Sequence, residues 1–405
     1  KVLDFTWVGV GPITTKYLAD HGADVIKIES VSRPDVLRGA QPFKDGIPGI
    51  NRSQFSGNYN SSKRNLGLNL SLPQSLELVK NLIIEWQPDV IAESFTPRVM
   101  KSWGLDYPSV IKIRPNVIYF STCLMGQFGP HNNFAGYGQL AGAMAGFYEI
   151  TGWPDKSPAG PYGAYSDFLN PPIAFGSIVA ALDYRDRHGK GQHIDLSQYE
   201  GAMHFLAPHI MKYNEDGSIL GRMGNEDDGM YPHGIYRCLN QKRSLTDTEE
   251  SWVAIAIESE PQWLEFSKIL GLQEAIYKQN LTERKANKDH IDHLITEWTS
   301  QHESRYVMKL LQSHKIPSGM VQSQSDMWED PHLEHMGYFQ WLQHTEIGPM
   351  PYDGLQFQLS KTPGHLSRAQ AMIGEHNLEI LEEILSMTPS EVADLLLEGV
   401  LEQSF

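Results

Sequence analysis

The first thirty residues carry the pattern that most restricts how this chain folds. Residues 2–6 (Val-Leu-Asp-Phe-Thr) predict a buried strand, residues 13–21 a helix after a glycine turn, and residues 25–29 (Val-Ile-Lys-Ile-Glu) a second strand. A strand, a helix and a strand in this order form a parallel pair joined by a right-handed crossover, as in doubly wound folds. The sequence therefore predicts an α/β fold built on a parallel sheet.

The same alternation of strand, loop and helix continues through the first half of the chain. Further short strands are predicted at 66–70, 89–93 and 117–121. Because ligands of such sheets bind beyond the carboxyl ends of the strands, we expect three loops to converge there: Trp7 to Gly11, Ser94 to Arg98 and Ser121 to Gly129.

The glycine turn after the first strand does not complete a dinucleotide motif. Gly9 and Gly11 match the first two glycines of GxGxxG, and Glu29 stands where the ribose acid would be, but Thr14 replaces the third glycine. The pattern disfavours NAD binding.

Composition excludes several function classes. The chain has 405 residues and a net charge of −16, which repels nucleic acids and anionic membranes at long range. Its apolar runs fall short of the roughly 20 residues of a membrane span. Cys123 and Cys238 are far apart and show no zinc spacing, and the histidines form no HExxH pattern. We expect a cytoplasmic protein without a metal, a membrane partner or a nucleic-acid partner.

Asp167 is the strongest candidate for chemistry. It follows a loop rich in glycine and tyrosine, and Asn170 and Pro171 suit the cap and first position of a helix running from about Ile173 to Arg187. Asp167 should then lie just before a helix N-terminus, whose dipole favours the ionised acid. From the residues alone it could cap backbone amides, pair with a base or attack an electrophile.

Two basic stretches could meet phosphate groups. The loop at 32–62 is rich in Gly, Pro, Asn and Ser and carries Arg33, Arg38, Lys44 and Arg52, and Lys63 and Arg64 follow it. A solvated basic corner is the alternative interpretation of Lys63 and Arg64.

A composition shift divides the chain. Residues 214–229 are rich in Gly, Asp, Glu and Asn and predict a linker, after which a second domain spans 230–335. In that domain we expect two strands, 234–238 and 252–257, joined by a polar turn, and several helices.

Several motifs, taken in order, resemble the class III CoA-transferase family, whose members include formyl-CoA, carnitine and benzylsuccinate CoA-transferases. The resemblance extends over essentially the whole chain to Asn377, and it is carried by residues 2–6, 11–12, 18–29, 60–70, 92–97, 126–130, 165–167, 189–195 and 374–377.

The resemblance implies a function. In this family an aspartate matching Asp167 is the catalytic nucleophile: it attacks an acyl-CoA thioester to form a mixed anhydride, becomes an aspartyl-CoA thioester, and passes the CoA to an acceptor carboxylic acid through a second anhydride. Coenzyme A is thus a co-substrate, and the partners are an acyl-CoA and a carboxylic acid. Which acid and which acyl-CoA the enzyme uses stays open.

The resemblance also assigns binding residues. Val8 and Gly9 would lie beside the thioester, Tyr137 at the edge of the acyl site, and Leu68, Phe95 and Trp103 around adenine or pantetheine. This chain has Gly9 where formyl-type relatives have glutamine. It also has Ser30, Ser102 and Ala135 where relatives have basic residues, so we assign phosphate binding to other positions, namely Arg38, Lys63 and Arg98.

A racemase or another acyl-CoA isomerase or lyase of the same superfamily is the alternative. The related racemases use a histidine in a Gly-His-Asp segment, which is Gly136-Tyr137-Gly138 here. A phenol that ionises only near about pH 10 cannot replace an imidazole near neutrality, so racemisation is disfavoured.

Relatives form interlocked homodimers, and each subunit has a large Rossmann-like domain built from both chain ends and a smaller α+β domain. By resemblance, residues 1–213 and 336–405 form the large domain here. Because the first strand begins at Val2, we expect residues to precede Lys1 in the natural protein, or the chain to be half of a fusion.

Overall fold

The computed structural model describes residues 1–240 and 250–405, which form two compact units. The first unit comprises residues 1–149, 159–220 and 337–405, and the second comprises 150–158 and 221–336. The linker at 214–229 and the domain limits expected from composition stay predictions.

A six-stranded parallel sheet forms the centre of the first unit. Its strands are β1 (Val2–Asp4), β2 (Val25–Glu29), β3 (Arg64–Gly67), β4 (Val90–Glu93), β5 (Ile118–Cys123) and β6 (Gln192–Ser197), in the order β3-β2-β1-β4-β5-β6. Val2 pairs with Val25 on one side and with Val90 on the other. Since the strand order reverses between β1 and β4, this is the doubly wound order. The predicted α/β fold with a parallel sheet is confirmed.

Helices cover both faces of this sheet because each presents an apolar stripe to it. On one face Leu78, Val79, Leu82 and Ile83 are buried against the strands, and on the other Ala174, Ile178 and Ala181 are buried. The helices up to residue 216 are α1 (Val10–Asp20), α2 (Gln54–Asn58), α3 (Pro73–Trp86), α4 (Arg98–Trp103), α5 (Tyr107–Val110), α6 (Gly138–Met144), α7 (Phe147–Ile150), α8 (Tyr165–His188), α9 (Gln198–His204) and α10 (Ala207–Asp216), with 3-10 helices at Val36–Gly39 and Lys44–Gly46.

Helix α8 begins earlier than the sequence predicts. Asn170 and Pro171 lie inside it instead of starting it, and Asp167 is in its first turn. The side-chain amide of Asn170 donates to the backbone carbonyl of Ser166 (2.8 Å), so Asn170 bonds to the preceding turn of the helix and does not cap its N-terminus. Pro171 and Pro172 have no N–H to offer the carbonyls of Asp167 and Phe168.

The second unit is an α+β arrangement with its own core. The strands β7 (His233–Cys238), β8 (Ser251–Ala256) and β9 (Ser318–Met320) form an antiparallel sheet. Trp263, Phe266, Ile291 and Ile295 are buried with it. The polar turn predicted between β7 and β8 lies mostly at 241–249, outside the described residues. The helices are α11 (Glu260–Leu270), α12 (Glu274–Tyr277), α13 (Leu281–Ala286), α14 (Lys288–Thr299), α15 (Ser304–Ser313), α16 (Gln324–Trp328) and α17 (Pro331–Met336).

The C-terminal segment returns to the first unit. The antiparallel pair β10 (Phe339–His344) and β11 (Gly348–Asp353) is followed by α18 (Asn377–Leu385) and α19 (Pro389–Leu397). The Asn377 side chain accepts from the Gly67 amide (2.8 Å), and the Glu402 amide donates to the Gly67 carbonyl (2.9 Å). These bonds attach the chain end to the edge strand β3. Within residues 1–240 and 250–405, the helices are all too short or too polar to cross a bilayer.

Candidate active site

A cavity of about 490 Å³ lies at the carboxyl ends of β1, β4 and β5, where the strand order reverses. The three loops predicted to converge there do so. Asp167 at the start of α8 and Gln198 at the start of α9 complete it. The lining residues are Trp7, Val8, Gly9, Val10, Gly11, Val36, Ser94, Phe95, Thr96, Val99, Thr122, Cys123, Leu124, Phe134, Ala135, Gly136, Tyr137, Asp167 and Gln198.

The Gln198 side chain holds the Asp167 carboxylate in place. The Gln198 amide nitrogen donates to Oδ1 of Asp167 and also lies 3.2 Å from the Ser166 hydroxyl. The Asn170 amide donates to the Gln198 carbonyl (3.2 Å), which fixes the start of α9 against α8. The carboxylate therefore lies in the cavity wall in one defined orientation.

Burial dominates the ionisation of Asp167. Only 6% of the residue is exposed, and the loss of water raises the pKa of its carboxyl to about 6. Hydrogen bonds from the Gln198 side chain and the Gly138 backbone oppose this rise because they stabilise the charged form. Near neutral pH Asp167 is thus an ionised but poorly solvated carboxylate, which is more basic than a surface aspartate.

Gly9 and Asp167 approach each other more closely than a side chain at residue 9 would allow. A Cβ atom on Gly9 would lie 2.7 Å from Cβ, 2.9 Å from Cγ and 3.0 Å from Oδ2 of Asp167. Any larger residue would displace the carboxylate or the turn. This packing gives a physical reason for glycine at this position of the chain.

The turn that carries Gly9 is strained and clamped. Val8 has a φ of 66°, in the left-handed region, where a β-branched residue is an outlier and the cost is on the order of 1–3 kcal/mol. The Ser94 hydroxyl accepts from the Trp7 amide (2.7 Å) and lies 3.1 Å from the Trp7 carbonyl. Such strain is often found at functional sites.

A second cavity, of about 250 Å³, shares the residues Trp7, Phe95 and Val99 with the first. Leu68 and Trp103 line it as well. The ring centroids of Trp7 and Phe95 are 5.3 Å apart and those of Phe95 and Trp103 are 5.5 Å apart, both edge to face. An aromatic wall thus connects the surroundings of Asp167 to the second cavity.

Comparison with known proteins decides what this site belongs to. The family model described as CoA-transferase family III matches residues 1–377. The chain belongs to CoA-transferase family III. It is accordingly an enzyme that transfers CoA between an acyl-CoA and a carboxylic acid.

Individual relatives of this family III CoA-transferase match it over most of their length. The succinyl-CoA–D-citramalate CoA-transferase of Chloroflexus aurantiacus is 27% identical over 400 residues, covering 98% of this chain and 95% of the relative. The succinyl-CoA:glutarate CoA-transferase of Mus musculus is 28% identical over 408 residues, covering 100% and 89%. The crystal structure of a CAIB/BAIF family protein from Brucella suis superimposes with a TM-score of 0.82 at 27% identity, covering 95% of this chain and 97% of that one.

The structure divides the predicted site residues of the CoA-transferase into four groups, of which the buried residues Arg38 and Lys63 are the last. Asp167, Val8, Gly9, Phe95 and Tyr137 line the first cavity. Leu68 and Trp103 line the second, together with Phe95. Arg98 is exposed at the start of α4, where its guanidinium donates to the Asn133 side chain (3.1 Å).

The positions of Arg38 and Lys63 contradict the phosphate-binding role predicted for them. Arg38 is 1% exposed and forms a two-point ion pair with Glu29 (2.8 and 2.6 Å), and its guanidinium also donates to the Ala371 carbonyl (3.0 Å). Lys63 is 2% exposed and donates to Asp4 (3.1 Å) and to the Pro12 carbonyl (3.0 Å). Because a phosphate cannot reach a buried and fully paired cation, we withdraw the phosphate role of both residues. They stabilise the sheet.

Sequence reasoning missed two features of the site. Gln198 follows the carboxyl end of β6, so the same rule that selected the other three loops would have selected it. Arg33 lines the second cavity and was one of four basic residues in the 32–62 loop, with no sequence signal to separate it from Arg38. Among the residues described by the structure, no three His, Cys, Asp or Glu side chains are grouped as a metal site would require.

We predict that kcat/KM falls about tenfold per pH unit below pH 6, because protonation of Asp167 removes the one carboxylate charge described in the cavity lining. Gln198→Ala removes a donor that lowers this pKa, so the acid limb should move to higher pH. The measurement is the pH dependence of kcat/KM for an acyl-CoA.

Glu93→Gln is the matched control for that profile. Glu93 is another buried carboxyl, with a pKa raised to about 7 by burial, but it does not line the cavity. The limb should stay near pH 6 in this variant. Two results would show that Asp167 does not control the pH profile: an acid limb that shifts in Glu93→Gln, or an acid limb that does not shift in Gln198→Ala.

Proposed function

We propose that the enzyme transfers CoA by covalent catalysis on Asp167. The observation that carries the proposal is the placement of this one carboxylate, 6% exposed, in the wall of a cavity at the switch point of the sheet. A carboxylate is a weak nucleophile, and partial loss of water together with fixed geometry is what makes its attack feasible.

The proposed reaction balances in four steps. An Asp167 oxygen adds to the thioester carbonyl and expels CoA thiolate, which leaves a mixed anhydride. The thiolate attacks the Asp167 carbonyl, releasing the donor acid and leaving an aspartyl-CoA thioester. The acceptor carboxylate attacks this thioester and again expels thiolate. The thiolate then attacks the acceptor carbonyl, which gives the new acyl-CoA and restores the Asp167 carboxylate.

Backbone amides support each addition step. Val10 and Gly11 are the first residues of α1 and both line the cavity, and the first amides of a helix have no acceptor within it. We infer that these amides donate to the oxyanion that forms at each attack. The close contact of Gly9 with Asp167 leaves no room for a side chain at residue 9 beside the carboxylate.

We propose that the CoA moiety follows the aromatic wall from the first cavity to the second. Trp7 and Phe95 contact both cavities, and Leu68 and Trp103 offer an apolar surface to pantetheine or adenine. With Arg38 and Lys63 buried, Arg33 in the second cavity and exposed Arg98 are the basic residues best placed for the phosphates.

The racemase alternative lacks a base. A racemase needs a second acid/base group near neutral pH opposite the first. Besides Asp167, the residues described around the first cavity include two with an ionisable side chain, the Cys123 thiol and the Tyr137 phenol. Burial raises the pKa of the Cys123 thiol to about 12. The geometry therefore supports transfer over racemisation.

We also infer an interlocked homodimer and a cytoplasmic location. The dimer rests on the family resemblance, since the chain matches its relatives over nearly their whole length. The location rests on the two free cysteines, Cys123 and Cys238, which suit a reducing compartment.

We propose an acid with an apolar body. Among the described residues, those around the first cavity include no Lys, Arg or His, so a second carboxylate on the substrate would be desolvated without a partner and beside the charge of Asp167. Val36, Phe134 and Tyr137 are about half exposed at this cavity and offer apolar contact. The two succinyl-CoA enzymes named above carry D-citramalate and glutarate in their names, both dicarboxylic acids, and this chain should differ from them.

Competition between hexanoate and adipate, which have equal length, tests that specificity. We expect hexanoate to be favoured at least about tenfold in kcat/KM, because burying an unpaired charge is costly. Val36→Arg adds a cation at the cavity and should reduce the preference. Equal use of both acids by the wild-type enzyme would contradict the apolar acyl site, without affecting the transferase mechanism.

Hydroxylamine trapping tests the covalent mechanism. Incubation with an acyl-CoA and then hydroxylamine should convert Asp167 to its hydroxamate, which peptide mass spectrometry detects. Asp167→Ala should retain acyl-CoA binding, show no trapped adduct and lose turnover by at least about 10³-fold. An active wild-type enzyme whose Asp167 stays unmodified would overturn the proposal.

A further inference from the structure

We propose that Asp35 is a positioning residue: its carboxylate holds the strained turn at Val8 and thereby places Gly9 against the nucleophile. This inference deepens the proposed function and rests on Asp167 as the acylated residue. Asp35 does not line either of the two cavities among the described residues, so it would act through the turn and not by contact with substrate.

The contact between Asp35 and Val8 is direct and two-sided. The Val8 amide donates to both carboxylate oxygens of Asp35, at 3.2 Å to Oδ1 and 3.1 Å to Oδ2. Asp35 is 1% exposed, so little water competes for this bond. A hydrogen bond to a charged acceptor is stronger than one between neutral groups, and it is stronger still away from water.

Asp35 is itself anchored. Its side chain caps the 3-10 helix Val36–Gly39 by accepting from the Leu37 amide (3.0 Å). The carboxylate thus joins two backbone segments that are distant in sequence: the turn after β1 and the loop after β2. A fixed acceptor at this point explains how a β-branched residue keeps a φ of 66°, a conformation that it would otherwise leave.

The turn at Val8 and Gly9 also sets the position of Asp167. Gly9 follows Val8, and its Cα is so close to Asp167 that an added Cβ would lie 2.7 Å from the Asp167 Cβ. The Gly9 carbonyl accepts from the Ile13 amide (3.1 Å), so the same residue starts α1, whose first residues, Val10 and Gly11, line the cavity. If Val8 relaxed to a negative φ, both the carboxylate and the amide donors would lose their relative placement.

A double-mutant cycle of Asp35 with Val8 tests the proposal. In Asp35→Ala, the single-turnover rate of Asp167 acylation should fall about 10- to 100-fold with little change in the KM for acyl-CoA, as expected of a misplaced nucleophile. Val8→Gly removes the strain because glycine adopts positive φ freely. The loss caused by Asp35→Ala should therefore be several-fold smaller in the Val8→Gly background.

The crystal structures of these variants give a readout that does not need activity. Residue 8 should leave the left-handed region in Asp35→Ala and keep it in Val8→Gly/Asp35→Ala. The φ of residue 8 in these structures tests the inference even if wild-type Asp167 proves not to be acylated. That result would contradict the proposed mechanism but not the role of Asp35 in the turn. If Asp35→Ala does not fold, Asp35→Asn, which replaces one acceptor oxygen by an amide, takes its place in the same cycle.

Ser53→Ala is the matched control. Ser53 is another buried cap, 3% exposed, and accepts from the Ser56 amide (3.1 Å) at the start of α2, but it does not contact Val8. It should lower the melting temperature and leave the acylation rate unchanged. A positioning role for Asp35 is refuted by a wild-type acylation rate in Asp35→Ala, by an equal loss in both residue-8 backgrounds, or by an unchanged φ at Val8 in Asp35→Ala.

Discussion

The burial of one carboxylate between a glycine and an amide is the constraint on which the rest of the site depends. Asp167 is removed from water by the close approach of Gly9, and its charge is retained by the Gln198 amide. Burial without these donors would neutralise the acid, and donors without burial would leave it as unreactive as a surface carboxylate. The pKa near 6 reflects this balance. It allows an ionised carboxylate at neutral pH whose charge is not paired with a cation.

The same unit uses its strong ion pairs elsewhere. Arg38 pairs with Glu29 of β2 and Lys63 pairs with Asp4 of β1, and both pairs are buried. Removing one partner of such a pair costs on the order of 3–5 kcal/mol, so these cations are committed to the scaffold. The first cavity has no comparable pair among the described residues, and Asp167 is the one charged side chain described in its lining.

Much of the fold follows from the sequence because parallel strands are short apolar runs punctuated by glycine. β2 was predicted at its observed limits, Val25 to Glu29, and the convergence of three loops followed from topology alone. The start of α8 could not be predicted, because Asn170 and Pro171 carry the usual signals of a helix start and only the tertiary contact of Asn170 with Gln198 shows why they lie inside. The phosphate role predicted for Arg38 and Lys63 was wrong for a related reason: a sequence reveals a basic residue but not the buried acid that pairs with it.

The fate of a single oxygen atom tests the central claim most directly. If Asp167 forms an anhydride with the acceptor acid, turnover with ¹⁸O-labelled acid in unlabelled water must leave one labelled oxygen in the Asp167 carboxyl, visible as a gain of about two mass units in its peptide. We predict this gain in the wild-type enzyme, rising with the number of turnovers. Efficient CoA transfer with an unlabelled Asp167 peptide, and with one labelled oxygen in the released donor acid and the other in the new acyl-CoA, would mean that the two substrates react with each other directly and that Asp167 is not the nucleophile.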